Sequence, residues 1–194
     1  MLASAAAEIR LGTYLSLLEA WNSRINLVGR GELAVLVRRH LMDSLAILPL
    51  LPSGTDRIVD LGAGAGFPGL PLAIATGIEI HLVDRDQRKC AFLREARRQT
   101  GASARVHELD FMTLPPLGAD VVLSRATAQL PSLLDAAARH ARKGGTMLFH
   151  KSRSQAAEIE SARVDWEFML QELANPADPR GCIWRITELH RHHG

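Results

Sequence analysis

Apolar residues recur at roughly 3.6-residue spacing near the start of the chain. Ile9, Tyr14, Leu15, Leu17, Leu18 and Trp21 fall along one helical side before Asn22 and Ser23 interrupt the pattern. A second helical stretch is expected from about Glu32 to Leu48. Leu33, Leu36, Val37, Leu41, Leu45 and Leu48 lie on one side of it, with Arg38, Arg39, His40 and Asp43 on the other. Pro49, Pro52 and Gly54 close this stretch.

Beyond Gly54 the period changes. Ile58-Val59 is a short β-branched run ending at Asp60, and Gly62, Gly64 and Gly66 follow. A helix is predicted from about Pro68 to Thr76, because proline is tolerated in a first helical turn. Further strands are predicted at Glu79 to Val83, Ala104 to His107, Asp120 to Leu123 and Thr146 to Phe149. Helices are predicted between them at about Gln87 to Thr100 and Ser132 to Ala141, with a Lys143-Gly144-Gly145 turn before the last strand. Such alternation implies βαβ units and a parallel sheet.

Near the end the period is two. Val164, Trp166, Phe168 and Leu170 alternate with polar positions, as do residues 182–187, and the turn-rich segment from Asn175 to Gly181 separates the two runs. An antiparallel hairpin closing one edge of the sheet is expected. The chain divides into a helical N-terminal extension, residues 1–53, packed on an α/β domain, residues 54–194.

Composition fits one globular domain. The 194 residues are 47% hydrophobic and 23% charged, which supports a full core and excludes disordered and collagen-like classes. A formal charge of +2 permits an RNA partner without demanding one. The two cysteines, Cys90 and Cys182, form neither a CxxC nor a metal-ligand spacing, so no metal is expected and a reducing, cytoplasmic setting is. No apolar run reaches the roughly 18 residues of a membrane span, and no basic-then-apolar leader opens the chain.

The chemistry concentrates in Asp60-Leu61-Gly62-Ala63-Gly64-Ala65-Gly66. In open α/β sheets, ligands bind at the carboxyl ends of strands, where the strand order reverses. Gly64-Ala65-Gly66-Phe67-Pro68-Gly69 spells the GxGxxG string of dinucleotide enzymes, but several residues beyond the strand and with Pro68 inside the turn. The frame abutting the strand is Asp60-x-Gly62-x-Gly64, the shape of class I S-adenosylmethionine methyltransferases. An acid there suits a cationic amino-acid moiety and would repel a diphosphate. Asp84, ending the second strand, stands ready for two ribose hydroxyls, a helix-capping role being compatible with this. A Rossmann-like class I methyltransferase is favoured over an NAD enzyme.

Further pieces carry a closer resemblance: Trp21-Asn22 with Arg24-Ile25-Asn26-Leu27-Val28, Arg39-His40-Leu41-Met42-Asp43-Ser44-Leu45, the run from Asp60 to Gly69, and Ser124-Arg125-Ala126. In this order they resemble the RsmG (GidB) family of bacterial 16S rRNA guanine-N7 methyltransferases, from about Tyr14 to the C-terminus. The resemblance implies transfer of a methyl group from S-adenosyl-L-methionine to a guanine of the 530 loop, position 527, with 16S rRNA or the 30S subunit as partner. It also implies cofactor contacts from Gly62, Phe67, Leu109, Asp110 and Arg125, which join Asp60, Gly64 and Asp84. The family's lysine-glycine after strand five reads Lys151-Ser152 here.

Guanine N7 loses no proton on methylation, so alignment rather than a general base is required. The chain after strand four reads Leu123-Ser124-Arg125-Ala126, without the Asp-Pro-Pro-aromatic type of motif of adenine-N6 enzymes, and neither cysteine follows that strand as a cytosine-C5 nucleophile would. Arg125 and Lys151, at the ends of strands four and five, are the candidate catalytic residues. Two basic stretches, residues 85–98 and 139–153, are expected to flank the switch point. Arg139, Arg142, Lys143 and Arg153, with Arg39 and His40 from the second helix, are the candidate RNA contacts. A monomer is expected. The alternatives are a small-molecule methyltransferase on the same fold and a non-catalytic RNA-binding assembly protein.

Overall fold

The computed structural model describes residues 4–29, 33–125, 128–152 and 157–192. Helix α1 (Ala5–Ile25) starts at Ser4, whose hydroxyl accepts from the Ala7 N–H, and stops at Asn26 in the left-handed conformation. It therefore runs through Asn22 and Ser23, where the sequence pattern appeared to break. The Asn22 side chain instead accepts from the Val28 N–H beyond the helix end. Ala7, Leu11, Tyr14 and Leu18 form the buried stripe, whereas Ile9 is 73% exposed and off the expected face. Helix α2 (Leu33–Leu45) ends three residues earlier than its apolar spacing suggested, giving way to a 3-10 turn at Leu48–Leu50 that contains Pro49.

Seven strands follow: β1 (Arg57–Leu61), β2 (Glu79–Asp84), β3 (Ala104–Glu108), β4 (Ala119–Arg125), β5 (Ala141–Ser152), β6 (Trp166–Ala174) and β7 (Gly181–Arg191). They form one sheet in the order β3-β2-β1-β4-β5-β7-β6. β1 to β5 are parallel, and β7 inserts antiparallel between β5 and the edge strand β6. The strand order reverses between β1 and β4, which opens a crevice at their carboxyl ends.

Both faces of the parallel strands are covered, so β1 and β2 read as nearly continuous buried runs. One face, with Ile58, Leu82 and Leu123, packs against α1, α3 (Gly69–Thr76) and α4 (Gln87–Thr100). The other, with Val59, Leu61, Val122 and Phe149, packs against α5 (Leu130–His140) and is continued by Trp184 and Ile186 of the hairpin.

Three further elements depart from expectation. α5 begins two residues earlier, with Pro131 in its first turn. β5 begins at Ala141, because Arg142 to Gly145 bulge out of register between the Ala119↔Ala141 and Val121↔Thr146 pairs, with Gly144 at φ +73°. A one-and-a-half-turn helix, α6 (Ala157–Ala162), is too short to leave a periodic trace in the sequence.

Candidate functional site

The glycine loop leaves β1 and folds onto the end of β2. The N–H groups of Gly62 and Ala63 both donate to the Val83 carbonyl, each at 2.9 Å. Gly62 and Gly64 have φ of +73° and +56°, a region open to glycine at little cost, so the chain turns sharply without side chains in the crevice. The Asp84 carboxylate grips the loop. Its Oδ2 accepts from the Gly64 N–H at 2.8 Å and its Oδ1 from the Asp86 N–H at 2.9 Å. The cap of α4 is Asp86, not Asp84, since Asp86 accepts from the N–H groups of Arg88 and Lys89. From the N-terminal extension, the Tyr14 hydroxyl donates to the Ala65 carbonyl at 2.7 Å.

Asp60 and Phe67, expected as cofactor contacts, sit behind the loop rather than on the cavity wall. Asp60 is fully buried and points beneath α3, where its Oδ2 accepts from the Gly69 N–H at 2.9 Å. Burial pushes its carboxyl up to about 7, although Gly69 and Arg125 oppose the rise. Gly69 makes room there, because a Cβ would fall 2.5 Å from Leu82 Cδ2 and 2.8 Å from Asp60 Oδ2 and force one of them to shift. The Phe67 side chain is also buried, 5.4 Å from both Tyr14 and His40 between ring centroids, with the Arg125 guanidinium 5.4 Å from its ring centre. Both residues shape the loop from behind.

In front of the loop lies a cavity of 460 Å³. Gly62, Gly64, Asp84, Leu109, Asp110 and Arg125 line it together, joined by Arg85, Lys89 and Phe111, which sequence reasoning did not single out as cavity residues. Asp110 holds the turn after β3 by accepting the Met112 N–H at 2.8 Å.

A second cavity, of 670 Å³, lies over the carboxyl ends of β4 and β5, under α2 and the β6–β7 turn. Arg125 lines both cavities. Its guanidinium donates to His40 Nδ1. Burial acts to lower its proton affinity, and the carboxylates of Asp43 and Asp60 oppose this. Arg39 lies at the same cavity in an ion pair with Asp178. The α2 motif, the fourth-strand arginine and the hairpin turn thus meet in space. The hairpin turn was read from sequence only as a connection, so Asn175 and Asp178 carried no signal there.

Lys151 also borders this cavity, but its ammonium is committed elsewhere. The side chain is 2% exposed, donating to Glu158 Oε2 at 2.7 Å and to the Ala128 carbonyl at 3.1 Å. Glu158 in turn accepts from the Leu130 N–H at the start of α5. Lys151 therefore ties β5, α5 and α6 together at the cavity's edge.

The basic stretch of residues 139–153 does not flank the switch point as a unit. Arg142 and Lys143 sit in the bulge beside the amino ends of β4 and β5, opposite the glycine loop, and Arg142 pairs with Asp120. Arg139 lies in the last turn of α5 and donates to the Leu114 carbonyl at 2.9 Å. These three, expected as RNA contacts, lie away from the carboxyl ends of the strands, while Arg153 lies outside the described residues. Of the other stretch, Arg85 and Lys89 turn toward the first cavity. Among the described residues, no group of three or more His, Cys, Asp or Glu could hold a metal, and no helix is long and apolar enough to cross a membrane.

Solved structures match this architecture. M. jannaschii TYW2 in complex with AdoMet superposes with a TM-score of 0.62 at 13% identity, covering 87% of this chain and 80% of that one. An O-methyltransferase from Bacillus cereus in complex with SAH gives 0.61 at 12% identity, covering 91% of each chain. At these identities the likeness is one of fold. Sequence relatives are nearer. The ribosomal RNA small subunit methyltransferase G of Rhodospirillum centenum is 47% identical over 93% of this chain and 83% of its own length. That of Paramagnetospirillum magneticum is 42% identical over 94% and 89%. The family model GidB, rRNA small subunit methyltransferase G, matches residues 8–177. With the family model spanning most of the chain and relatives above 40% identity, the protein belongs to the GidB family of rRNA small subunit methyltransferases.

Proposed function

We propose that the protein transfers the methyl group of S-adenosyl-L-methionine to N7 of one guanine of 16S rRNA, position 527 in the 530 loop, acting in the cytoplasm as a monomer on the rRNA or the 30S subunit. The observation that carries this reading is the meeting of two cavities at Arg125. One has the build of a cofactor site and the other the room for a nucleotide.

The first cavity fits the cofactor in size and donor set. Its 460 Å³ lies within the range of small-molecule sites. Asp84 spends one lone pair of each oxygen on Gly64 and Asp86, which orients the carboxylate and leaves acceptor capacity for two hydroxyls. Gly62 lets the backbone approach closely, and Leu109 and Phe111 supply apolar walls beside Asp110. When bound there, the cofactor supplies an electrophilic methyl on a sulfonium.

The protein's own work is positional. N7 attacks through an in-plane lone pair and gives up no proton, so Arg125 acts as a fixed donor at the junction rather than as a base. His40 and Phe67 hold its guanidinium in place. The test is a gene deletion followed by borohydride and aniline cleavage of 16S rRNA at 7-methylguanine. One cleavage in the 530 loop should vanish and return on complementation. Its persistence in the deletion strain would overturn the reading.

A further inference from the structure

The second cavity carries two hydrogen-bond acceptors that the folded chain leaves underused. Asp43 is 5% exposed on α2. Its Oδ1 accepts from Asn175 Nδ2 at 2.8 Å, while its Oδ2 lies 4.0 Å from His40 Nδ1, beyond hydrogen-bond reach. Burial acts to raise its pKa, but His40 and Asn175, with the charge of Arg125, outweigh that and hold it below the usual carboxylate range. Asp43 therefore stays ionised, an acceptor at the cavity wall.

His150 stands beside it, on β5 in register with Arg125 of β4. Its Nε2 lies 3.1 Å from the Asp43 carbonyl oxygen. A carbonyl only accepts, so Nε2 carries the ring proton. Burial keeps the imidazole neutral by pulling its pKa below the ordinary value, and Nδ1 is then a bare acceptor. The residue is 8% exposed, it lines the cavity, and Nδ1 has no partner among the described residues. A buried polar atom without a partner is costly and uncommon, and its usual explanation is a ligand or water not yet counted.

Two acceptors on residues that border one cavity call for a ligand edge bearing two donors. Among the bases, the Watson–Crick edge of guanine has that pattern, with N1–H beside the N2 amino group. Adenine presents a bare N1, which a carboxylate would repel. A guanine held by that edge has N7 on the opposite side of the purine, uncovered for attack. The cavity's 670 Å³ admits a base turned out of its stack.

Resting on the methyltransferase reading above, we infer that Asp43 and His150 are the guanine-recognition edge of the enzyme. Asp43 accepts from N1–H and His150 Nδ1 accepts from the N2 amino group, with Arg125 standing between this base and the cofactor cavity. The Arg-His-x-x-Asp motif of α2 then selects the base.

The inference is tested with 30S subunits reconstituted from 16S rRNA carrying guanine, inosine or 2-aminopurine at the target position. Inosine lacks the N2 amino group, and 2-aminopurine lacks N1–H. Wild-type kcat/KM should fall about tenfold or more on each analogue, the scale of a lost base-edge contact. His150→Phe should lower the guanine rate without a further fall on inosine, bringing that ratio toward one. Asp43→Asn should do the same for 2-aminopurine, with cofactor affinity unchanged in both variants. Equal wild-type rates on all three substrates would overturn the inference, as would variants that slow all three equally. The wild-type comparison decides alone if either variant fails to fold. Absence of methylation on the guanine substrate itself would instead overturn the functional reading.

Discussion

The two cavities that meet at Arg125 are built by opposite means. The first is framed largely by backbone: a glycine loop, the ends of β2 and β3, and a carboxylate that binds main-chain N–H groups. The second is framed by side chains from α2, β4, β5 and the β6–β7 turn. A backbone frame is encoded within a few contiguous residues and tolerates change everywhere except at its glycines. A side-chain frame is encoded in distant segments, and each polar member depends on a partner. The first construction suits a cofactor common to many reactions, the second a single substrate.

Arg125 is where this contrast should break most sharply, because it serves both sides. Arg125→Ala is expected to cut single-turnover methylation of 30S subunits by about 10²- to 10³-fold, the cost of removing one preorganised donor, with some loss of cofactor affinity. Arg125→Lys should recover little, since a point charge does not replace a planar fork, and raising the pH should rescue neither variant. Near-wild-type rates for Arg125→Ala would remove it from the active site.

On the backbone-built side, Gly62→Val places a β-branched residue at φ +73° and should bring S-adenosylmethionine binding below detection by calorimetry. Wild-type binding should be unaffected by EDTA. Normal binding by Gly62→Val would dismiss the loop as the cofactor frame. Behind the loop, Gly69→Ala should cost about 1–3 kcal/mol, read as a lower Tm, because its Cβ meets Leu82 and Asp60.

Asp60 gives the frame a pH dependence. Its folded pKa of about 7 lies above the usual 3.8, so the folded state binds this proton more tightly than the unfolded chain does. The stabilisation is complete below pH 3.8 and is lost as pH rises through about 7. Asp60→Asn should flatten that decline in denaturant titrations, and an unchanged slope would place the carboxyl elsewhere. The smallest effect belongs to the far end of the sheet. Arg142→Gln removes an exposed ion pair with Asp120, so stability should change by about 0.5 kcal/mol or less and methylation should not change. A large loss of turnover would bring the amino-end bulge back into the RNA contact surface.

The same division explains what the sequence revealed. The acid near the strand's end and the alternating glycines lie within seven residues, and their spacing led to the loop. Asp84 followed from its place one βα unit later, and Arg125 from the end of β4. The second cavity left only fragments. His150 reads as one more strand residue, and Asn175 as a turn former, until folding places both against Asp43. Lys151 stands at a strand's end, but its partner Glu158 lies on α6, a helix too short to register in the pattern. Charge runs misled in a related way. Residues 139 to 143 are near Lys151 in sequence, yet β5 carries them to opposite ends of the sheet.

Tyr14 is fully buried, its ring against Phe67 and Phe92 and its hydroxyl on the Ala65 carbonyl. The helix that bears it is thus a brace for the bend of the glycine loop, supplied from fifty residues upstream. Trimming the chain to its β-sheet portion would discard that brace and expose the aromatic surface beneath it. Exchanging α1 between relatives would exchange the stiffness of the glycine loop along with it.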